Sequence, residues 1–112
     1  MTELSCLVGE ELNAVCFVMD YVEFHFNGRI LRALANPTLE RGEISVYFPG
    51  GGSRDAFCAL IGCRIEAVNV FPEKLIRVVF EGNVILSIPL DGDAGPESAH
   101  FVPGLNQPIS VY

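Results

Sequence analysis

The stretch "YVEFHFNGRILRALA", Tyr21 to Ala35, decides the fold class. Val22, Phe24 and Phe26 fall on one side of an extended chain, and Tyr21, Glu23 and His25 on the other. A period of two is the mark of a half-buried strand. Asn27-Gly28 follows, and both residues tolerate the positive φ that a tight hairpin turn demands. "RILRALA" then returns as a second strand, closed by Asn36-Pro37. The scheme recurs downstream. In "LIRVVF", Leu75 to Phe80, Ile76, Val78 and Phe80 share a face, Glu81-Gly82-Asn83 makes the turn, and "VILSIPL" returns.

Set side by side, the two regions align over much of their length. "LVGEELNAVCFVMD" (Leu7 to Asp20) lies over "LIGCRIEAVNVFPE" (Leu60 to Glu73), matching Leu7 to Leu60, Gly9 to Gly62, Leu12 to Ile65 and Asp20 to Glu73. With Lys74 as an insertion, Val22 meets Ile76, Phe24 meets Val78, Phe26 meets Phe80, Gly28 meets Gly82, Ile30 meets Val84 and Leu34 meets Ile88. After a longer insertion around "DGDAGPESAHF" the register recovers at "ISVY", which stands at both Ile44–Tyr47 and Ile109–Tyr112. A shared order of pieces points to an internal duplication, with repeats at about 4–48 and 57–112 joined by the glycine-rich connector 49–53. Ser53 reads as a helix N-cap, and Arg54 to Ile61 as a short helix ending at Gly62. Each unit is thus expected to hold a short helix, a three-stranded meander and a fourth strand ending in ISVY. The expected architecture is mostly β: two similar antiparallel units packed as a pseudo-two-fold sandwich or barrel in a single domain.

Composition narrows the partners. The chain has 112 residues, half of them hydrophobic, enough to bury roughly 65% of the unfolded surface. Seven basic residues against fourteen acidic ones give a net charge of −7. That balance disfavours nucleic acid and anionic membranes, both of which need clustered cations. "MTELSCLVGEEL" lacks the positive start of a signal peptide, and no apolar run approaches the ~18 residues of a membrane span. The cytoplasm is the expected location, with Cys6, Cys16, Cys58 and Cys63 as reduced thiols. Their spacing lacks the close pairs of a zinc site, so buried thiols acting as small hydrophobes are expected.

The polar candidates are few. Asp91, Asp93 and Glu97 offer oxygens to a cation, but Gly95 stands where a calcium loop needs its third ligand and Val102 where it needs its last. A turn leading into a helical start at Pro96 accounts for the same residues. His25 beside Glu23 suits acid–base work, yet nothing in the sequence brings His100 to it. "GGGSRD" precedes a helix but lacks the Gly-Lys-Ser/Thr ending of a phosphate loop. No cofactor is expected. "ISVYF" is rich in β-branched and aromatic residues, and its two faces are both partly apolar, so an edge position would let it pair with a second molecule. Tyr47 and Tyr112 are then contact residues, with Tyr21, Glu23 and His25 as further interface candidates.

The words "MDYVEFHFNG", "LIGCRIEAV", "VVFEGNVILSIPLDG" and "GPESAHF" resemble a group of small bacterial proteins of unknown function, some of whose relatives sit among immunity-like proteins that neutralise toxins of neighbouring cells. The resemblance implies a mostly-β fold with a helix or two and supplies no catalytic residues. Two functional expectations follow. One is a non-enzymatic protein-binding module, working as a homodimer. The other is a small-ligand or catalytic barrel, with a cavity between the repeats lined by Phe17, Phe24, Phe26, Phe71 and Phe80.

Overall fold

The computed structural model describes residues 3–91, 97–104 and 107–112. A 3₁₀ turn (Glu3–Leu7) leads to β1 (Ala14–Val18), β2 (Tyr21–Phe26), β3 (Arg29–Ala33), β4 (Thr38–Arg41) and β5 (Ile44–Tyr47). The single α-helix among the described residues, α1 (Ser53–Cys58), precedes β6 (Ile65–Phe71), β7 (Leu75–Phe80), β8 (Val84–Pro89), β9 (Ala99–Val102) and β10 (Ser110–Val111). The strands form two five-stranded antiparallel sheets, β1-β2-β3-β9-β10 and β5-β4-β8-β7-β6, called here sheets I and II. They pack face to face as a sandwich.

The strand order carries a surprise. Each sheet takes a three-stranded meander from one half of the chain and a hairpin from the other. β4–β5 leaves β3 and pairs with β8, while β9–β10 pairs with β3. The two halves also meet at a short splice. Leu12 N–H donates to Cys63 C=O and Ile65 N–H to Glu10 C=O, at 2.9 and 3.0 Å. Gly9 N–H donates to Ile65 C=O and Gly62 N–H to Leu12 C=O, both at 2.8 Å. These are matching bonds about a pseudo-two-fold axis that passes through the isolated Glu11–Arg64 bridge. Gly9 and Gly62 hold φ of 86° and 96°, the left-handed region that glycine enters without steric cost.

The inward faces follow the alternation read from the sequence. Val22, Phe24 and Phe26 on β2, and Ile76, Val78 and Phe80 on β7, are fully buried in one shared core. Leu4 and Leu7 from the 3₁₀ turn, and Phe57 and Leu60 from α1 and its exit, are buried in it too. α1 packs on β1, β4 and β5, and the 3₁₀ turn packs on β6. Each helical segment therefore closes one open side of the sandwich.

Several details differ from the sequence reading. Each unit holds five strands rather than four, because ISVY is the second arm of a hairpin. The two ISVY segments are one residue out of step. Leu39 faces Val46, whereas its counterpart Phe101 faces Ser110. Phe48 N–H bonds Pro37 C=O and Tyr112 N–H bonds Ala99 C=O, so Tyr112 occupies the place of Phe48, not of Tyr47. On β3 the buried residues are Leu31 and Ala33, matching Leu86 and Ile88; Ile30 does not match Val84, nor Leu34 Ile88. The cause is a second turn one residue longer, Glu81-Gly82-Asn83 against Asn27-Gly28. A one-residue shift moves every side chain to the other face. The helix also ends at Cys58 rather than Ile61, and its N-cap is Gly52 rather than Ser53. Ser53 Oγ instead donates to Gly50 C=O at 2.6 Å.

Phe57 touches Phe24 edge-on, with ring centroids 5.9 Å apart, and stacks on Phe17 at 6.4 Å. Truncating it opens a cavity beneath α1. Phe57→Ala should cost about 3–5 kcal/mol of stability, measured by urea unfolding.

Candidate functional site

On the outward face of sheet I, cross-strand pairing lines up Cys16, Glu23, Arg32, His100 and Val111, one from each strand. Arg32 Nε donates to Glu23 at 2.7 Å, and its Nη1 meets His100 Nδ1 at 3.1 Å. His100 Nε2 meets Glu97 at 2.6 Å, and His25 Nε2 meets the other Glu23 oxygen at 3.1 Å. Arg32 also lies 5.9 Å over the Tyr21 ring. His25 and His100, which the sequence kept apart, therefore belong to one polar chain. Pairing of β9 with β3 across nearly the whole sequence brings them together, and no local pattern encodes that.

Chemically this chain is closed. An arginine N–H aimed at His100 Nδ1 makes that nitrogen the acceptor, leaving Nε2–H to donate to Glu97. Glu23 has only 14% of its side chain exposed and accepts from both neighbours. Burial alone raises its pKa, but hydrogen bonds from Arg32 and His25, with their charges, outweigh that and leave it below the ordinary value. The arrangement knits three strands and leaves no strong acid–base pair facing a cleft.

The remaining candidates scatter. Tyr47 stands on β5, the outermost strand of sheet II, 61% exposed beside Ile44 at 67%. Tyr112 is half-buried, and its hydroxyl donates to Glu3. Burial and the Glu3 carboxylate both raise the phenol's pKa. Of the two expected contact tyrosines, only Tyr47 offers its ring freely, because the slipped register turns Tyr112 inward. Asp91 is exposed, Glu97 is committed to His100, and Asp93 lies outside the described residues. No group of three metal-ligating side chains occurs among the described residues. All four cysteines are free thiols, but Cys6, Cys16 and Cys58 are exposed and Cys63 is intermediate, against the expected burial. Cys16 projects from the outer face of β1, and Phe57 takes the inward position next to Cys58.

The phenylalanines expected to line a cavity divide into three groups. Phe24, Phe26 and Phe80 are fully buried in the core. Phe17 stacks on Phe48 at 5.8 Å under the Arg54 guanidinium, and Phe71 lies at the surface under Arg77. None of the five lines either of two surface grooves. One groove, about 190 Å³, runs between α1 and the lip of sheet II, lined by Leu39, Arg41, Ile44, Val46, Ala56 and Ala59. A larger one, about 520 Å³, lies open on the outer face of sheet II.

No protein-family model matches the chain, and no curated protein or solved structure matches it either. Nothing in those comparisons bears on the immunity-like resemblance. No helix among the described residues is long and apolar enough to cross a membrane.

The depressed Glu23 pKa makes a signed prediction. A carboxyl held below its ordinary value of 4.5 adds stability that is fully present above that pH. That contribution is lost as pH falls through the lower folded value. Glu23→Gln should cost about 1 kcal/mol at neutral pH and flatten the acid limb of the stability curve, measured by urea unfolding from pH 7 downward.

Proposed function

We propose that this protein is a non-enzymatic binding module, internally duplicated over about residues 4–48 and 57–112, that pairs with a second copy of itself along β5. The observation that carries this reading is an apolar edge strand whose outward backbone groups, those of Ser45 and the N–H of Tyr47, have no partner among the described residues. β5 ends sheet II, and Ile44 and Tyr47 are its most exposed apolar residues. Arg41 and Ile44 flank a two-residue turn, and Phe48 N–H reaches the Pro37 carbonyl. The even-numbered residues of this segment thus bond to β4, which aims the backbone groups of Ser45 and the N–H of Tyr47 outward. Unpaired strand edges of this kind template addition of another strand.

Side-chain parity favours a second copy. An antiparallel two-fold pairing centred on Ser45 sets Ser45 against its own mate and Ile44 against the mate's Val46. The groove of Leu39, Arg41, Ile44, Val46, Ala56 and Ala59, apolar but for Arg41, then continues into its copy. Tyr47 falls opposite the mate's Glu43, a hydrogen-bonding pair. Such an interface is isologous and closes on itself. The net charge of −7 on each chain opposes association at low salt.

Sedimentation of the untagged chain over a wide concentration range should give a reversible monomer–dimer equilibrium that tightens as salt rises. Ser45→Pro removes an outward N–H without touching β4 and should weaken the dimer by about tenfold or more at unchanged circular dichroism. Ile44→Lys should do the same. A chain that stays monomeric throughout, or a Ser45→Pro dimer as tight as the parent, would count against β5 pairing.

A further inference from the structure

The pseudo-two-fold axis carries the outer row of sheet I onto a matching row of sheet II, and the two rows have diverged. Cys16–Glu23–Arg32–His100–Val111 corresponds to Asn69–Arg77–Ser87–Thr38–Tyr47, again paired across five strands. In sheet I the cation sits between its own acceptors, Glu23 and His100. In sheet II the glutamate position holds Arg77, the arginine position holds Ser87 and the histidine position holds Thr38. The carboxylate and the imidazole are gone, and two hydroxyls stand beside the guanidinium instead.

The Arg77 side chain has no ion pair or hydrogen bond among the described residues, and its guanidinium lies 5.2 Å over the ring of Phe71, on β6. Lys74, Ser87 and Thr38 likewise have no side-chain hydrogen bond or ion pair there. All four line the 520 Å³ groove with Leu75, Pro89, Glu40 and Asp91. That volume lies within the range of small-molecule sites. Glu40 and Asp91 are exposed carboxylates, so the groove holds two cations and two anions. A plain anion would meet repulsion there as well as attraction. A ligand with both charges meets complementary groups throughout.

We propose that this groove binds the carboxylate of a small zwitterion, of the amino-acid and short-peptide class, seated on Ser87, Thr38 and an Arg77 guanidinium turned from Phe71 toward β8, with its ammonium toward a groove carboxylate. The guanidinium supplies a planar two-pronged donor that matches a carboxylate, and the two hydroxyls supply one donor each. Leu75 and Pro89 give an apolar wall for the ligand's carbon skeleton. The site lies on the sheet face, apart from the β5 backbone edge, and does not depend on the dimer.

Amide and arginine Nε resonances of the full chain, followed by NMR while diglycine is added, test it. Saturable shifts clustered at Thr38, Lys74, Arg77 and Ser87 are expected. Arg77→Gln should weaken the response by about tenfold or more, and Arg77→Lys, which keeps charge but loses the fork, should weaken it too. Acetate and inorganic phosphate, at matched ionic strength, should produce weaker shifts. Absence of saturable shifts into the tens of millimolar, an unchanged response in a folded Arg77→Gln, or an equal response to phosphate would each overturn the proposal. An equal response to phosphate would identify a simple anion effect.

Discussion

Exchange of hairpins between the two halves is the constraint on which the rest of the structure depends. Neither meander can complete its sheet from its own half. β3 bonds to β9 and β8 bonds to β4, so each half lends the other two strands. The splice at Glu11 and Arg64 is the pivot that makes this possible, because it fixes the halves head to tail just before their first strands. Arg64 adds a guanidinium bond to the Gly9 carbonyl at 3.1 Å, on the same axis. Because these pairings join residues far apart in sequence, the loop-closure cost falls early and is recovered only when both sheets form together. The single core cluster, drawing on both meanders and both helical segments, is the energetic counterpart of that topology.

What the sequence made legible was local. Alternation in Tyr21–Phe26 and Leu75–Phe80 identified both the strands and their inward faces, since period two survives any tertiary arrangement. The Asn27-Gly28 turn was equally plain, and both residues have positive φ. The exchange was not legible, because a hairpin looks the same whichever sheet receives it. The identical ISVY words misled for a related reason. Identity in sequence suggested identity in register, yet register is set by the partner strand and by turn length. In the first half Val46 faces inward toward the core, and in the second Ser110 takes that position while Tyr112, in the place of Phe48, supplies the bulk two residues later. The polar chain from His25 to Glu97 was hidden too, since its members lie on β2, β3, β9 and the segment just before β9. Nothing in the spacing of Arg32 and His100 says that they stand opposite one another.

The two outer faces show how near-symmetric scaffolds come to differ. A cross-strand row is a fixed set of adjacent positions, so one substitution changes the neighbourhood of the next. In sheet I, the Glu23, Arg32 and His100 positions satisfy one another and stiffen three strands. In sheet II, arginine at the Glu23 position would repel a second arginine beside it, and Ser87 stands there instead. The second row is consequently rich in donors and loosely held.

The two ends of the sandwich differ for a physical reason of the same kind. β10 spans two residues, and the chain after it is bound down: Tyr112 bonds Ala99 through its backbone and Glu3 through its hydroxyl. The short edge offers little backbone to a stranger, and its aromatic is folded against the 3₁₀ turn. β5 spans four residues, carries its aromatic outward and continues to Phe48, which turns in to fill the core. One residue of slip therefore decides which ISVY is structural and which is presented. The inward tyrosine packs against its end of the molecule, and the outward one stands exposed on the opposite edge strand.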